Sequence, residues 1–277
     1  MKISLIQTAS TREKELVRFI SSLQKQKICD SDQIEYVFVD QGDNYHLFLE
    51  IKNKVDFIYI KTDCCSLSHA RNLGLDAASG DIICFPDDDC WFPNGILADV
   101  LSKFNDEGID GYTGRVTNED GVPYNVYKPN SCMLTKEKHF GASSICMFLR
   151  NVHEIRFDEN IGVGSKFGIG SGEETDYLAR YISLGNKVNY CPNLVVYHPI
   201  NLLRKDKGYI SKTYSYAIGA GYVAKKNNYS LICKFGMLIR PFLGIIVFFI
   251  KGDMYMSKRS RAILYGRING LNKSIMS

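Results

Sequence analysis

Ile82-Ile83-Cys84-Phe85-Pro86-Asp87-Asp88-Asp89 is an apolar run that ends in three consecutive carboxylates. The apolar residues predict a short buried strand. Adjacent carboxylates repel one another unless water, backbone donors or a cation compensates their charge. In an extended segment Asp87 and Asp89 project to the same side, where they could face one Mg²⁺ or Mn²⁺ ion. An acidic turn with Asx-type caps is an equally good interpretation of these residues taken alone.

Strand and helix patterns alternate over the first 110 residues. Strands are predicted at 2–7, 34–39, 55–60 and 81–85, and helices at 11–26 and 66–78. This alternation is typical of an α/β fold with a mostly parallel, Rossmann-like sheet flanked by helices. Ligands of such sheets bind at the carboxyl ends of the strands. The polar residues predicted at those ends are Thr8, Asp40 and the three carboxylates 87–89.

Charge divides the 277-residue chain into two parts. Residues 1–200 carry 20 Lys+Arg against 28 Asp+Glu, whereas residues 201–277 carry 14 against 2. We therefore expect a main domain over 1–200 and a basic helical extension over 201–277, which favours an anionic partner, either nucleic acid or a membrane surface. The nine cysteines contain no Cys-x-x-Cys pair, so neither a disulfide framework nor a zinc site is favoured.

The extension contains a strongly apolar segment at 231–250. Lys234 and Arg240 interrupt it, and Pro241 is expected to split it. The uninterrupted part, 241–250, is too short to cross a bilayer. It predicts an interfacial helix that contacts an anionic membrane peripherally, or a helix packed in an ordinary subdomain. No N-terminal signal peptide is recognisable, which predicts a cytoplasmic protein.

Three further positions carry candidate chemistry. Arg71, on the polar side of the second helix, suits an anionic phosphate or ribose group. Asp40 either accepts a hydrogen bond from a nucleotide base or caps the turn before Gly42. His198 follows an apolar strand and either completes a metal shell begun by Asp89 or has a structural role.

A helix start at 171–174 offers a candidate general base. Glu174, with its neighbour Glu173, follows a glycine-rich loop and could take a proton from an acceptor hydroxyl. Ser171 and Glu174 also have the Ser-x-x-Glu spacing of a capping box, in which Glu174 only contacts the Ser171 amide. The residues alone leave both interpretations open.

Taken together, these segments resemble the inverting glycosyltransferases of family 2, which have the GT-A fold. The order and spacing of the matching stretches are more specific than any single motif. The stretches cover roughly residues 1–200 and comprise 4–10, Val37-Phe-Val-Asp40-Gln-Gly42, Ala70-Arg71-Asn72-Leu-Gly74, 78–89, Gly172-Glu173-Glu174-Thr-Asp176-Tyr-Leu-Ala-Arg180 and Tyr197-His198.

The resemblance implies a nucleotide-sugar donor, usually a UDP- or dTDP-sugar, and an Mn²⁺ or Mg²⁺ ion. It places Asp89, with His198, on the metal. The second acidic position of the glycine-acidic motif, usually Asp in this family, supplies the base and is Glu174 here, next to Glu173. The residues expected to hold the nucleotide sugar are Thr8, Ser10, Asp40, Arg71, Asp87 and Asp88.

Similar bacterial enzymes act on polyprenyl-diphosphate-linked acceptors in capsule, O-antigen or exopolysaccharide assembly. We accordingly expect a glycan acceptor, attachment at the cytoplasmic face of the plasma membrane and no nucleic-acid partner. A sugar-1-phosphate nucleotidylyltransferase is a weaker alternative, because residues 7–12 lack the glycine that a triphosphate-binding loop needs. A non-catalytic nucleotide-sugar or membrane-surface binder would leave the carboxylates without a purpose.

Overall fold

A computed structural model describes residues 1–51, 54–105, 108–139, 142–200 and 207–275. The strands in these ranges are β1 Lys2–Ala9, β2 Gln33–Asp40, β3 Asp56–Lys61, β4 Ile82–Cys84, β5 Gly111–Thr117, β6 Cys132–Met133, β7 Met147–Arg150 and β8 Val188–Tyr197. They form one sheet in the order β3-β2-β1-β4-β7-β5-β8-β6. β7 runs antiparallel to β4 and β5, and β6 antiparallel to β8, while the other pairs are parallel. The predicted α/β fold with a mostly parallel sheet is confirmed.

The helices are α1 Glu13–Gln24, α2 Leu67–Ala77, α3 Ile96–Lys103, α4 Glu173–Ser183, α5 Lys207–Lys226, α6 Leu231–Ile250 and α7 Met254–Asn272. α1 and α2 lie where the apolar periodicity predicted helices. The α1 residues Leu16, Phe19 and Leu23 recur at helical spacing and are buried. α3 is a short helix that the pattern did not reveal.

The described chain divides into two compact units. The first comprises residues 1–65, 69–156 and 181–200, and the second comprises 66–68, 157–180 and 201–277. The first unit contains the sheet and an aromatic core. In that core Phe19 and Phe38 both pack against Tyr36, with ring centroids 5.6 and 6.2 Å away, and all three side chains are fully buried.

Glycines allow the helices of the second unit to approach closely. A Cβ atom on Gly270 of α7 would lie 2.1 Å from the carbonyl oxygen of Ile218 in α5, and one on Gly221 of α5 would lie 2.2 Å from the carbonyl oxygen of Arg267. Both distances are far below van der Waals contact. The α5–α7 backbones therefore touch directly, and larger residues at these positions would separate them.

α6 corrects one expectation. Pro241 does not split the apolar segment, because α6 continues through it for 20 residues. Proline has no N–H to give to the carbonyl oxygen four residues earlier, which belongs to Met237. The Arg267 guanidinium of α7 donates from Nη1 to that oxygen instead, so the helix continues without a buried, unpaired carbonyl group.

Candidate active site

The carboxyl ends of β1, β2 and β4 lie at one edge of the sheet, because these strands are parallel neighbours. Ala9 is the register partner of Asp40. The Gln7 side chain donates from Nε2 to the carbonyl oxygen of Asp87 over 2.9 Å. Thr8, which lies between Gln7 and Ala9 at the end of β1, is partly exposed. The fold thus brings the polar residues predicted at the strand ends to the same edge.

Asp40 is fully buried and its carboxylate accepts four hydrogen bonds. The donors are the backbone N–H groups of Gly42 and Asn44, the Asn44 side-chain amide and the Tyr59 hydroxyl, at 2.7–2.8 Å. A Cβ on Gly42 would lie 1.7 Å from the carbonyl oxygen of Ser10, so the turn requires glycine. Burial raises the pKa of Asp40, but the bonds from Asn44, Gly42 and Tyr59 outweigh it and lower that pKa. Asp40 caps this turn, and its contact with a base stays a prediction.

Arg71 anchors the first carboxylate. Its side chain is 2 % exposed, and its Nη2 donates to Asp87 Oδ1 and to Ser144 Oγ, each over 2.9 Å. A buried guanidinium is retained only where charged and polar partners compensate its desolvation. Arg71 and Asp87, both predicted to hold the nucleotide, therefore lie in one ion pair.

Asp88 and Asp89 share a cation that the sequence analysis did not consider. Arg12 lies between β1 and α1, and its Nη1 donates to Asp89 Oδ2 and lies 3.4 Å from Asp88 Oδ1. Arg18 of α1 donates from Nη2 to the Asp89 carbonyl oxygen over 2.7 Å. Two arginines, one at the start of α1 and one within it, therefore contact Asp89.

His198 lies on the other side of Asp89. Its Nε2 is 3.0 Å from Asp89 Oδ1, and its Nδ1 is 2.7 Å from the Pro199 carbonyl oxygen. A backbone bridge holds the two segments together, because Trp91 and Tyr197 exchange both N–H···O bonds at 3.0 Å. The structure therefore places His198 beside Asp89, as the metal-shell hypothesis requires.

The pKa values of Asp88 and His198 are raised, whereas that of Asp89 is lowered. Burial, and less strongly the charges of Asp89 and Asp87, raises the pKa of Asp88 to about 6 against the influence of Arg12. Burial would also raise the pKa of Asp89, but the bonds and charges of His198 and Arg12 lower it to about 2. Burial opposes the charged form of His198, yet Asp89 raises the pKa of this imidazole. Asp88 and Asp89 are adjacent in the chain, yet their pKa values are shifted in opposite directions.

The candidate base residues lie at the start of α4, in the second unit. Glu173 is 6 % exposed, and its Oε2 would be 2.9 Å from a Cβ built on Gly162. Glu174 is partly exposed. The Ser171 hydroxyl donates to the Tyr216 carbonyl oxygen of α5 over 3.1 Å, a contact that the capping-box interpretation does not include.

A buried charge network follows in the same helix. Asp176 is fully buried and accepts from Arg180 Nε, Lys226 Nζ and Asn227 Nδ2 at 2.8–2.9 Å. Lys226 also donates to Asp158 over 2.6 Å. Lys226, counted from sequence among the basic residues of the tail, is therefore bound within the protein. Asp176 binds the start of α4 to the end of α5.

Comparison with known families identifies the chain. The family model described as Glycosyl transferase family 2 matches residues 4–168, more than half of the sequence. The chain belongs to glycosyltransferase family 2. A search of curated proteins by sequence found no relative with a significant match.

Solved structures agree on the fold of this glycosyltransferase. The mannosyltransferase PcManGT of Pyrobaculum calidifontis, solved with GDP-Man and Mn2+, has a TM-score of 0.61 at 12% identity, covering 97% of this chain and 86% of its own. S. aureus TarS 1-349, solved with UDP, has a TM-score of 0.58 at 15% identity, with 98% and 92% covered. TarS with UDP-GlcNAc gives the same values. At these identities the likeness shows the fold alone.

Sequence reasoning missed two residues that contact the predicted site residues of this glycosyltransferase. Arg12 had a visible signal, since it is a cation three residues after the end of the first strand, near the edge where the carboxylates were predicted. Ser144 had none, because it belongs to a short 3-10 turn, Ser144–Cys146, outside the short sequence stretches on which the resemblance was based. A serine in such a turn has no pattern that would show its contact with a distant arginine.

Proposed function

We propose that this protein transfers a sugar from a nucleoside-diphosphate sugar, with UDP or dTDP as the nucleotide, to a hydroxyl of a glycan acceptor with inversion at the anomeric carbon. The observation that carries the proposal is the position of the Asp89 carboxylate, which lies between His198 and Arg12 at the carboxyl edge of a family 2 sheet. Cationic groups at this edge suit a diphosphate, and the compared structures were solved with UDP, UDP-GlcNAc and GDP-Man.

Asp89 and His198 fit a divalent ion. Oδ1 of Asp89 and Nε2 of His198 lie 3.0 Å apart, so a carboxylate oxygen and an imidazole nitrogen, both common metal ligands, would be available to one ion. The Pro199 carbonyl oxygen next to Nδ1 is the kind of second partner that orients a metal-binding imidazole.

The described residues contain no cluster of three or more His, Cys, Asp or Glu suited to a metal. Mg²⁺ is commonly held by one or two protein groups together with substrate phosphates, so two protein ligands suffice. We propose that Asp89 and His198 hold Mn²⁺ or Mg²⁺. When bound, the ion supplies charge that stabilises the departing diphosphate.

Glu174 is the proposed general base, with Glu173 as the alternative. A carboxylate of α4 accepts the proton of the acceptor hydroxyl while the hydroxyl oxygen bonds to the anomeric carbon and the carbon–oxygen bond to the diphosphate breaks. Arg71, Asp87 and Asp88 position the nucleotide, together with Thr8, Ser10 and Asp40. Glu174 is favoured over Glu173 because it is partly exposed, whereas Glu173 is buried.

α6 supports a membrane location for the acceptor. Among the residues that the structure describes, α6 is the one helix that is long and apolar enough to cross a membrane. Successive helical residues are about 100° apart, so the exposed apolar side chains of α6 fall within less than half of its circumference, an arc that excludes Lys234 and Arg240. They include Leu231, Phe235, Phe242, Ile246, Phe249 and Ile250.

We propose that α6 lies in the membrane interface rather than crossing it. Its opposite side packs on α7, where the Ser257 hydroxyl donates to the Ile245 carbonyl oxygen over 3.1 Å. Crossing would carry the exposed cations Lys258 and Arg261 of α7 into the hydrocarbon region. An interfacial position places them near anionic headgroups, at the cytoplasmic face, where a polyprenyl-diphosphate-linked glycan would be presented.

A donor panel tests the proposed reaction. The full chain is incubated with UDP-, dTDP- and GDP-sugars and Mn²⁺, and sugar release or transfer is measured with and without EDTA. We expect consumption of one nucleotide class and its loss in EDTA. No binding and no consumption of any donor, with or without metal, contradicts the proposal. Conversion of a sugar 1-phosphate and a nucleoside triphosphate would instead support a nucleotidylyltransferase.

A further inference from the structure

Arg12 has no role in the proposed reaction, yet its guanidinium contacts two carboxylates of the cluster, Asp88 and Asp89. It lies between β1 and α1, and its side chain is 48 % exposed. Its Nη1 faces Asp89 Oδ2 and Asp88 Oδ1 together. With His198 on Oδ1, both oxygens of Asp89 are engaged.

In this arrangement Arg12 competes with a divalent ion for the Asp89 carboxylate. A guanidinium and a metal ion on the same carboxylate repel each other, and the repulsion is strong where water is partly excluded. The Asp89 side chain is only 18 % exposed. Arg12 therefore stabilises the cluster in the ligand-free protein and opposes an ion that uses Asp89 as a ligand.

A nucleotide diphosphate offers Arg12 a better partner. Arginine binds phosphate through parallel N–H···O bonds. Since the Arg12 side chain is half exposed and makes no capping bond to α1, it can turn from the carboxylates toward a diphosphate bound at this edge. Such a movement would free an oxygen of Asp89 at the moment when phosphate oxygens become available.

We propose that Arg12 is a positioning residue that couples the two ligands, opposing divalent-ion binding in the free protein and releasing Asp89 when the donor diphosphate takes over its guanidinium. This inference rests on the metal and donor sites proposed above. Coupling of this kind is reciprocal, so nucleotide and ion raise each other's affinity by the same factor. The ion alone then binds weakly, and it binds well together with the nucleotide.

Mn²⁺ binding tests the coupling without any turnover. Free Mn²⁺ is measured by electron paramagnetic resonance in titrations of the full chain, alone and with saturating UDP, dTDP or GDP. We expect Arg12→Ala to bind Mn²⁺ alone at least about fivefold more tightly than the wild type, and its enhancement by nucleotide to fall by at least about the same factor. Arg12→Lys should keep weak binding of Mn²⁺ alone but recover only part of the coupling, because an ammonium group is not bidentate.

Lys14→Ala is the matched control, since it removes an exposed positive charge two residues away in the first turn of α1. Its Mn²⁺ affinity should equal that of the wild type. The inference is overturned if Arg12→Ala binds Mn²⁺ alone no more tightly than the wild type. If the wild type binds no Mn²⁺ either alone or with nucleotide, the proposed metal site itself is overturned. That result differs from Mn²⁺ binding that is the same in the wild type and in Arg12→Ala, which overturns only the coupling.

Discussion

Asp89 Oδ1 and His198 Nε2 lie 3.0 Å apart, although the two residues come from distant parts of the chain. The exchange of backbone hydrogen bonds between Trp91 and Tyr197 fixes this approach. Asp89 precedes the bridge by two residues, and His198 follows it directly. The pair is therefore positioned by the sheet edge and not by a flexible loop.

Asp89→Asn should abolish transfer while leaving the fold intact. The amide keeps the size of the side chain but removes the charge that pairs with His198 and Arg12, so we expect kcat to fall at least about 100-fold. Turnover with the identified donor and circular dichroism are the measurements. Asp30→Asn, at an exposed carboxylate before β2, is the control and should keep full activity. Normal turnover in Asp89→Asn would rule out its role at the metal.

The variant Glu174→Gln distinguishes the two roles considered for Glu174, general base and helix cap. If Glu174 accepts the acceptor proton, kcat falls about 100- to 10,000-fold with an unchanged melting temperature. Retained turnover with a lowered melting temperature would identify Glu174 as a helix cap instead. The same measurement on Glu173→Gln assigns the base if Glu174 is not it, and Glu154→Gln, at an exposed glutamate, serves as the control.

Acid should weaken the first unit partly through Glu35. This carboxylate is 1 % exposed and accepts from Ser4 Oγ and Ser79 Oγ beside Lys2 Nζ. Burial raises its pKa, but the bonds from Lys2, Ser4 and Ser79 outweigh burial and lower it. Because the folded pKa is below the unfolded value of about 4.3, this stabilisation is complete above that pH and is lost as the pH falls through the folded pKa.

Urea unfolding between pH 3 and pH 7 measures this contribution. Glu35→Gln should lower the free energy of unfolding at pH 7 by about 2 kcal/mol, since hydrogen bonds to a charged group are lost. It should also flatten the decline below about pH 4.5 relative to the wild type. An identical decline in the two proteins would show that other carboxylates carry the acid sensitivity.

Two glycines in helices should respond to alanine with opposite signs. Gly270→Ala places a Cβ 2.1 Å from the Ile218 carbonyl oxygen, so we expect a loss of about 1–3 kcal/mol in the free energy of unfolding. Gly236→Ala in α6 meets no atom within 4 Å and should gain about 0.5–1 kcal/mol from helix propensity. Thermal and urea unfolding measure both. A stabilised Gly270→Ala protein would contradict the direct α5–α7 backbone contact.

Charges on the exposed face of α6 should abolish membrane binding. We expect the double variant Phe242→Glu and Phe249→Glu to float with phosphatidylglycerol vesicles about 100-fold less well, because two exposed aromatic side chains that would enter the membrane interface are lost. Leu184→Glu, at an exposed apolar residue of the first unit, is the control and should float like the wild type. Binding of the wild type should weaken at high salt. If all of the wild-type protein stays unbound when it is mixed with these vesicles at low salt, the proposed membrane contact is contradicted.

Much of the candidate site followed from local pattern. The period of apolar residues located β1, β2, β4 and the helices between them, and parallel pairing then required 40 and 87–89 to share an edge. The hydrogen-bond partners did not follow. Asp40 was weighed as a base contact or a turn cap, and only the buried donors of Asn44 and Tyr59 show that it caps the turn. Which donors surround a carboxylate depends on loops that carry no periodic signal.

The α/β class, the carboxyl edge, the family and the basic character of the tail could all be inferred without a structure, because they depend on composition, spacing and order along the chain. The tertiary structure was needed to show that Arg12 and His198 meet at Asp89 and that Lys226 is bound to Asp158 and Asp176. It also decided that α6 continues through Pro241. These outcomes depend on contacts between residues far apart in the chain, such as the Arg267 guanidinium at the Met237 carbonyl oxygen, and such contacts exist only once strands and helices have packed.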